Sequence, residues 1–240
     1  MVDRVSLEPQ PATLWISDVN GVLIDSSRLV REAFAATAAR WRFAITPRAF
    51  QQVKGLWLLE AYRVLDPGGD ASQRRQYHVS YIRERMSELR AYPDVAATLA
   101  AAKARDVRVA ATTSHGEIAE AALVAAGLYP YIDCLVTQEE VKRPKPDPES
   151  ILVILRLFGT PPPACGSLQA LHVGDTVQDI VAGKAAGIRT VGVTYGLSDD
   201  AEIAAATPDA VIRSFDEMRR FLPGQSPADS GREYRSALTL

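Results

Sequence analysis

Short apolar runs of strand length alternate along this chain with segments whose apolar residues recur at helical spacing. Such alternation is typical of an α/β fold, in which a parallel sheet carries helices on both faces. We therefore predict a doubly wound, Rossmann-like α/β core. The predicted strands are 13–17, 107–112, 134–137, 170–173, 190–194 and 210–212. The clearest predicted core helices are 95–104, 117–126, 148–158 and 179–186.

A helical block interrupts this alternation after the first strand. Its helical patterns are 29–42, 47–65 and 72–90, with no strand between them. The simplest interpretation is a small all-helical cap domain, residues 27–91, inserted into a core domain formed by residues 12–26 and 92–222. Residues 1–11 and 223–240 are rich in prolines, charges and turn-forming residues, so we predict that both termini are flexible.

Composition narrows the class of function. The formal net charge is −2, so the chain has no basic excess for nucleic acid or an anionic membrane. No apolar run reaches the roughly 18 residues of a membrane-spanning helix, and the N-terminus lacks the apolar core of a secretion signal. The two cysteines, Cys134 and Cys165, form no CxxC pair. We expect a cytoplasmic monomer or homodimer that acts on a small molecule.

Polar residues follow the first two predicted core strands. Asp18 ends the first, where a carboxylate could act as a nucleophile at the edge of a parallel sheet, although a turn or capping aspartate is also possible. Thr113 and Ser114 follow the second, where a hydroxyl and backbone N–H groups can hold a phosphate oxygen. Ser114 also has capping-box spacing with Glu117, so helix capping remains open.

Two further motifs carry charged residues. The segment 142–148 holds Lys145 among three prolines, which could fix its ammonium group over an anionic centre or form an ordinary charged loop. Asp175 follows strand 170–173 and Asp179 lies one helical turn later, so their carboxylates could gather a hard divalent cation. The four motifs together supply a nucleophile, an oxyanion donor, a cation and a metal pocket. Phosphoryl transfer needs these parts.

With these four motifs the sequence resembles the haloacid dehalogenase-like (HAD) hydrolase superfamily. The matching segments, in chain order, are DVNGVLIDS, VAATTS, VKRPKPDPE and VGDTVQDIVAGKAAG, and the match runs from about residue 13 to 195. The helical insert resembles the cap of the phosphoglycolate phosphatase and β-phosphoglucomutase-like branch. The resemblance implies a Mg²⁺-dependent phosphatase that hydrolyses a small phosphorylated metabolite.

The resemblance also implies roles for the motif residues. Asp18 would attack phosphorus and form an aspartyl-phosphate, and Thr113 would bind the transferring phosphoryl group. Lys145 would neutralise charge on the Asp18 nucleophile and on the phosphoryl oxygens. Lys145 fits the third motif in register, whereas the alternative register would place Arg143 in that role. The implied metal ligands are Asp18, the backbone carbonyl of Asn20, and Asp175, with Asp179 in support.

Four further residues are candidates for substrate binding: Gly21, Lys54, Ser114 and His115. Ser114 would offer its N–H group near the phosphoryl group. Lys54 lies in the cap where relatives carry a substrate-specificity loop, and it could reach a substrate anion or be a solvated helix lysine. His115 could line the pocket or be a polar loop residue.

Asn20 departs from the family pattern, in which phosphatases carry an aspartate two residues after the nucleophile. An amide can donate a hydrogen bond but cannot exchange a proton at neutral pH. General acid–base catalysis contributes roughly 10²–10⁴ in rate. We therefore expect a folded, metal-binding protein that turns over ordinary phosphate esters slowly.

Several explanations of Asn20 are open from the sequence. The substrate could supply the proton or have an acidic leaving group, the chain could be a binding module that has lost turnover, or an Asp→Asn change could have been engineered to trap a complex. A phosphotransferase or mutase is the alternative enzyme function. Dehalogenation is disfavoured, because the dehalogenase branch of the superfamily needs no metal, whereas this chain keeps the metal-site pair Asp175 and Asp179.

Overall fold

The structure, a computed structural model, describes residues 11–159 and 170–224 of the 240-residue chain. Its strands, in chain order, are β1 (Leu14–Asp18), β2 (Ile24–Asp25), β3 (Arg90–Ala91), β4 (Arg108–Thr113), β5 (Cys134–Thr137), β6 (Ala170–Gly174), β7 (Arg189–Val193) and β8 (Ala210–Ile212). Its α-helices are α1 (Ser27–Trp41), α2 (Pro47–Val53), α3 (Leu58–Leu65), α4 (Ala71–Glu84), α5 (Val95–Lys103), α6 (Gly116–Ala125), α7 (Glu149–Leu157), α8 (Val177–Ala185) and α9 (Asp200–Ala205). Short 3₁₀ helices cover Met86–Glu88, Tyr129–Tyr131, Gln138–Glu140 and Phe215–Phe221.

Six of these strands form one parallel sheet in the order β5–β4–β1–β6–β7–β8. Helices flank the sheet, so the predicted α/β fold is confirmed. β1 lies between β4 and β6, and Asp18 pairs in register with Thr112. Because the strands are parallel, their carboxyl ends meet at one edge, which gathers the residues that follow β1, β4 and β6.

Every residue of β1 is buried, as expected for a strand covered on both faces. Successive side chains point to opposite sides of the sheet. Trp15 packs into one apolar layer with Val109, whereas Ile16 packs into the other with Ile154. A strand held from both sides therefore carries Asp18 to the edge of the sheet.

Helices α1 to α4 lie between β2 and β3, which pair antiparallel where the helical insert leaves and rejoins the core. Phe34 on α1 packs against Phe50, Tyr62 and His78, with ring centroids 5.8, 5.4 and 4.6 Å away. The insert thus has an aromatic core of its own. Its limits at residues 27 and 91 remain a prediction.

Two of the predicted cap helices end earlier than the sequence pattern indicated. The pattern over 47–65 forms two helices, α2 and α3, because Gly55 between them adopts a left-handed conformation with φ of 77°. The pattern over 72–90 ends as an α-helix at Glu84 and continues through a 3₁₀ helix into β3. The elements β2, β3 and α9 were not predicted, since segments of two to six residues show little periodicity.

The predicted flexible termini lie outside the described residues, except for residues 11, 223 and 224, and so does Cys165. Cys134 is a partly buried free thiol, and burial raises its pKa. Within the described ranges, no helix is both long and apolar enough to cross a membrane.

His78 on α4 makes the stability of the fold depend on pH. Its ring is buried, with Nδ1 2.8 Å from the Tyr62 hydroxyl, and burial lowers its pKa well below the ordinary value. Below about pH 6.5 the unfolded chain therefore binds a proton that the folded chain does not, and the folded state loses stability as the pH falls. We predict that His78→Gln reduces this pH dependence by about 1.4 kcal/mol per pH unit in urea denaturation. Tyr62→Phe leaves the imidazole in place and should keep the wild-type slope; a wild-type slope in His78→Gln would contradict the prediction.

Candidate active site

Asp18 lies at the carboxyl end of β1, in direct contact with the ammonium group of Lys145. Lys145 Nζ donates to Asp18 Oδ1 at 2.5 Å and to Asp179 Oδ1 at 2.6 Å. All three side chains are buried. Arg143, the residue of the alternative register, is exposed and pairs with Asp147 at 3.0 Å. The structure therefore brings Lys145, and not Arg143, to the predicted nucleophile.

Asp179 joins Lys145 to the start of α8. Its Oδ2 accepts hydrogen bonds from the backbone N–H and the hydroxyl of Thr176 at 3.1 and 2.6 Å. Thr176 Oγ1 in turn accepts from the Asp179 N–H at 3.3 Å, which completes a capping box. His172 Nε2 lies 3.6 Å from Asp179 Oδ1. Protein groups thus occupy both carboxylate oxygens of Asp179. Asp179 is therefore better placed to support a metal site than to bind the metal itself.

Asp175 follows β6 and is enclosed by two glycines. The Leu197 N–H donates to Asp175 Oδ2 at 2.7 Å. A Cβ atom at Gly21 would lie 2.0 Å from that oxygen, and one at Gly196 would lie 2.5 Å from it. Gly21 also has a φ of 81°, in the left-handed region. Gly21, predicted to bind substrate, therefore makes room for the Asp175 carboxylate.

Thr113 ends β4, and two donors converge on its hydroxyl oxygen. Asn20 Nδ2 donates to Thr113 Oγ1 at 3.0 Å, and the His115 N–H donates to it at 3.1 Å. A hydroxyl has two acceptor sites, so its proton is left to be donated. Ser114 and His115 line the neighbouring cavity. Helix α6 begins at Gly116 without a side-chain cap, so the capping interpretation of Ser114 is wrong.

Burial dominates the electrostatics of these groups. It raises the pKa of Asp18 to about 7 against the opposing charge of Lys145. Burial, reinforced by the charge of Asp179, raises the pKa of Asp175 well above its ordinary value. Burial alone would lower the pKa of Lys145, but the nearby charges of Asp179 and Asp18 raise it. Burial alone would raise the pKa of Asp179, but the charge of Lys145 lowers it. Burial, reinforced by the charge of Lys145, lowers the pKa of His115 to about 4, so its ring is neutral at neutral pH.

The donors around Asp18 suit a hard divalent cation. Three buried carboxylates face one buried ammonium, and carboxylate and carbonyl oxygens are ligands that Mg²⁺ accepts. A cation would favour the ionised forms of Asp18 and Asp175, whose pKa values burial raises. Among the described residues, no three His, Cys, Asp or Glu side chains are grouped as a metal site. That finding is compatible with the expected set, in which a backbone carbonyl of Asn20 joins the two carboxylates, and the residues present fit Mg²⁺.

A small cavity of about 60 Å³ separates this cluster from the cap. Its core end is lined by Asp18, Asn20, Lys145 and Asp175. Its cap end is lined by apolar side chains of the helical insert: Val30, Phe34, Phe50, Val53, Leu56 and Leu58. The two ends therefore offer very different surroundings to the two halves of a bound molecule.

Two sets of ion pairs hold the cap against the core. Lys54, at the end of α2, donates to Glu202 on α9 at 2.5 Å, and the lysine side chain is only 7% exposed. Arg75 on α4 pairs with Glu117 and Glu139 at 2.7 and 3.2 Å. Lys54 lines the cavity, as expected for a substrate-binding residue, but the carboxylate of Glu202 neutralises its charge. It is therefore neither a solvated helix lysine nor an unpaired cation.

Four residues that shape the site were not predicted from the sequence: Thr176, Gly196, Leu197 and Glu202. A signal existed for two of them, because Thr176 with Asp179 and Asp199 with Glu202 have the spacing of a capping box. Leu197 acts through its backbone N–H, which any residue other than proline would supply.

The fold and the site define an α/β protein in which an aspartate ends an inner strand of a parallel sheet beneath a helical cap. The chain belongs to the haloacid dehalogenase-like hydrolase family, whose sequence profile matches residues 15–193. The predicted family is therefore confirmed.

Individual relatives support this membership. The chain is 29% identical over 214 residues to the "Probable phosphatase IndB" of Dickeya dadantii, covering 85% of this chain and 91% of that protein. It is 28% identical over 224 residues to phosphoglycolate phosphatase 1 of Pseudomonas aeruginosa, covering 88% and 78%. The crystal structure of CbbY from Rhodobacter sphaeroides in complex with phosphate matches with a TM-score of 0.71 at 20% identity, covers 86% and 96%, and supports the fold.

Gly21→Ala should disturb Asp175 as well as the backbone. We predict that it costs about 1–2 kcal/mol of stability from backbone strain, plus a further loss from the clash with the Asp175 carboxylate, measured by urea denaturation. Gly127→Ala is the matched control, because Gly127 has a φ of 70° and nothing within 4 Å of an added Cβ. It reports the strain alone. Equal losses in the two variants would show that Asp175 does not need the space at Gly21.

Proposed function

We propose that the chain is a Mg²⁺-dependent phosphatase that hydrolyses a small phosphorylated metabolite through an aspartyl-phosphate on Asp18. The carrying observation is the contact of the buried Lys145 ammonium with Asp18, next to Thr113 and Asp175 at one strand edge. A nucleophile, a fixed cation, a hydroxyl donor and a carboxylate suited to metal binding are thereby joined. The phosphatase names of two relatives support the same reaction class.

In the first step, an oxygen of Asp18 bonds to phosphorus as the bond from phosphorus to the leaving oxygen breaks. The Thr113 hydroxyl, with both acceptor sites filled, donates to a phosphoryl oxygen. Lys145 neutralises charge on the nucleophile and the phosphoryl group. Asp18, the Asn20 carbonyl and Asp175 would hold Mg²⁺, which supplies further charge neutralisation when bound. Positioning and charge neutralisation provide most of the catalysis in such reactions.

In the second step, the oxygen of a water molecule bonds to phosphorus as the bond from phosphorus to Asp18 breaks, and the proton of the water passes to the departing phosphate or to solvent. Asn20 stands where relatives carry an acid–base carboxylate, and its amide cannot take the proton of the attacking water. The absence of general acid–base catalysis costs roughly 10²–10⁴ in rate. The cap covers one side of the cavity and limits the access of bulk water to the aspartyl-phosphate. We therefore expect slow turnover of alkyl phosphates.

Asn20 also favours a second candidate function, that of a phosphotransferase or mutase. An aspartyl-phosphate that water attacks slowly lives longer, so a second hydroxyl compound can compete for the phosphoryl group. The same chemistry on Asp18 and the same cap serve both candidates. They differ in whether water or another acceptor receives the phosphoryl group.

We place this activity in the cytoplasm, in a monomer or homodimer that acts without nucleic acid or membrane. The net charge of −2 and two cysteines without CxxC spacing support this setting.

Asn20→Asp places a carboxyl group where the proton must move. We predict that kcat for an alkyl ester such as glycerol 3-phosphate rises about 100-fold, because the acid can protonate the leaving oxygen and then accept a proton from water. Phosphate release in the presence of Mg²⁺ measures the effect. Asn20→Ala is the control and should give no rise. An unchanged kcat in Asn20→Asp would show that another group transfers the proton.

Asp18→Asn should remove the nucleophile without changing its size. We predict that acetyl phosphate labels Asp18 of the wild type in mass spectrometry, whereas this variant stays unlabelled and releases no phosphate. If the wild-type protein is not labelled on Asp18 and hydrolyses no ester, the chain is a phosphometabolite-binding module and the enzyme proposal fails.

A further inference from the structure

We propose that the substrate is a phosphate monoester of an apolar aromatic hydroxyl, so that the group that leaves phosphorus is a phenol-type anion that brings no second anion into the cavity. This inference rests on the phosphatase function proposed above and names its substrate class. The cap end of the cavity and the chemistry of Asn20 lead to it independently.

The cap end of the cavity has no free charge for a second anion. Among the described residues that line it, Lys54 is the only basic side chain from the cap, and Glu202 pairs with it at 2.5 Å. A leaving group with its own carboxylate or phosphate would be buried there without a cation to compensate it, which is costly. Phosphoglycolate, for which the Pseudomonas aeruginosa relative is named, carries such a second anion. The cavity therefore favours a leaving group that carries no carboxylate or phosphate of its own.

Two of the apolar side chains at the cap end of the cavity are aromatic, and a second space lies next to them. Phe34 and Phe50 meet edge to face at 5.8 Å and line both the cavity and an open groove of about 550 Å³ on the cap. The cavity itself, at about 60 Å³, is smaller than the ~150 Å³ of a cavity that binds benzene. Phe50 is only partly buried and lines both spaces, so the proposal requires a turn of its ring to join them. An aromatic body would then lie against the phenyl rings and extend into the groove, where the Arg31 guanidinium lies 5.4 Å from the Phe50 ring centroid.

Asn20 favours a leaving oxygen that departs without a proton. When Asp18 bonds to phosphorus, the electron pair of the breaking P–O bond stays on the leaving oxygen. A phenol has a pKa of about 10, against about 15.7 for water, which an alkyl alcohol resembles. A phenolate therefore leaves as an anion and takes its proton from solvent afterwards, whereas an alkoxide needs the acid that Asn20 cannot supply. The apolar wall and the amide at position 20 thus select the same class of ester.

The first experiment compares aryl esters with alkyl and anionic ones. We expect phosphate release from phenyl phosphate and 2-naphthyl phosphate with a kcat/KM about 100-fold above that of glycerol 3-phosphate and phosphoglycolate. Acetyl phosphate is the reference, because its small acidic leaving group needs no aryl site to phosphorylate Asp18. If acetyl phosphate labels Asp18 but aryl esters have no advantage, this inference fails and the phosphatase proposal stands. If no donor labels Asp18, both fail.

Phe50→Ala tests the aromatic wall. We expect the kcat/KM ratio of 2-naphthyl phosphate to acetyl phosphate to fall about 10-fold, because the ring that contacts the aryl group is lost. Phe43→Ala is the matched control: it removes the same ring from the cap, where Phe43 packs against Tyr62 with centroids 6.4 Å apart and lines neither space. It should leave the ratio unchanged. A wild-type ratio in Phe50→Ala would overturn the assignment of this wall to the leaving group.

Glu202→Gln tests the neutralised lysine. The variant leaves the Lys54 ammonium without its carboxylate, so we expect the kcat/KM of phosphoglycolate relative to phenyl phosphate to rise about 10-fold. A ratio is used because a looser contact between cap and core would lower both values together. An unchanged ratio would show that the pairing of Lys54 does not exclude anionic leaving groups, and it would overturn that part of the inference.

Discussion

The ammonium group of Lys145 is the charge on which the rest of the site depends. It lies buried between Asp18 and Asp179, and without it three carboxylates would be desolvated side by side with no opposing side-chain cation in contact with Asp18 among the described residues. Asp179 is itself fixed by Thr176 at the start of α8, so a helix end and not a flexible lysine chain sets the position of the ammonium group. One cation thereby joins β1, α8 and the loop that follows β5.

In the proposed mechanism, Asn20 cannot transfer a proton, but its amide still holds the Thr113 hydroxyl in place. Its amide donates to Thr113 Oγ1, as a protonated carboxyl group in the same place would. Together with the His115 N–H, this bond fixes the threonine hydroxyl as a donor. An aspartate in this position would both order the site and move protons, and the amide can do only the first. A complete site and the slow turnover that we expect are therefore compatible.

The strand-edge residues could be predicted from the sequence because their signals are local. A buried strand is an apolar run, and the polar residue that matters comes directly after it, as at the ends of β1, β4 and β6. The contacts that these and other groups make are not local. Lys54 meets Glu202 across 148 positions, and Leu197 reaches Asp175 through a backbone N–H that carries no sequence signal. Gly55 ends α2 by its left-handed φ, which a helical pattern of apolar residues does not reveal.

The two ends of the cavity therefore differ in how well the sequence predicts the roles of their residues. At the phosphoryl end, residue type and place in the chain set the role, because parallel strands bring their ends together whatever else the chain does. At the cap end, an apolar residue at helical spacing can pack in the interior or line a cavity, and Phe34 does both. The role of a charged residue at the cap end also depends on which side chains lie next to it. A lysine in the cap indicates an anionic leaving group only when no carboxylate of the core meets it, and here Glu202 meets Lys54.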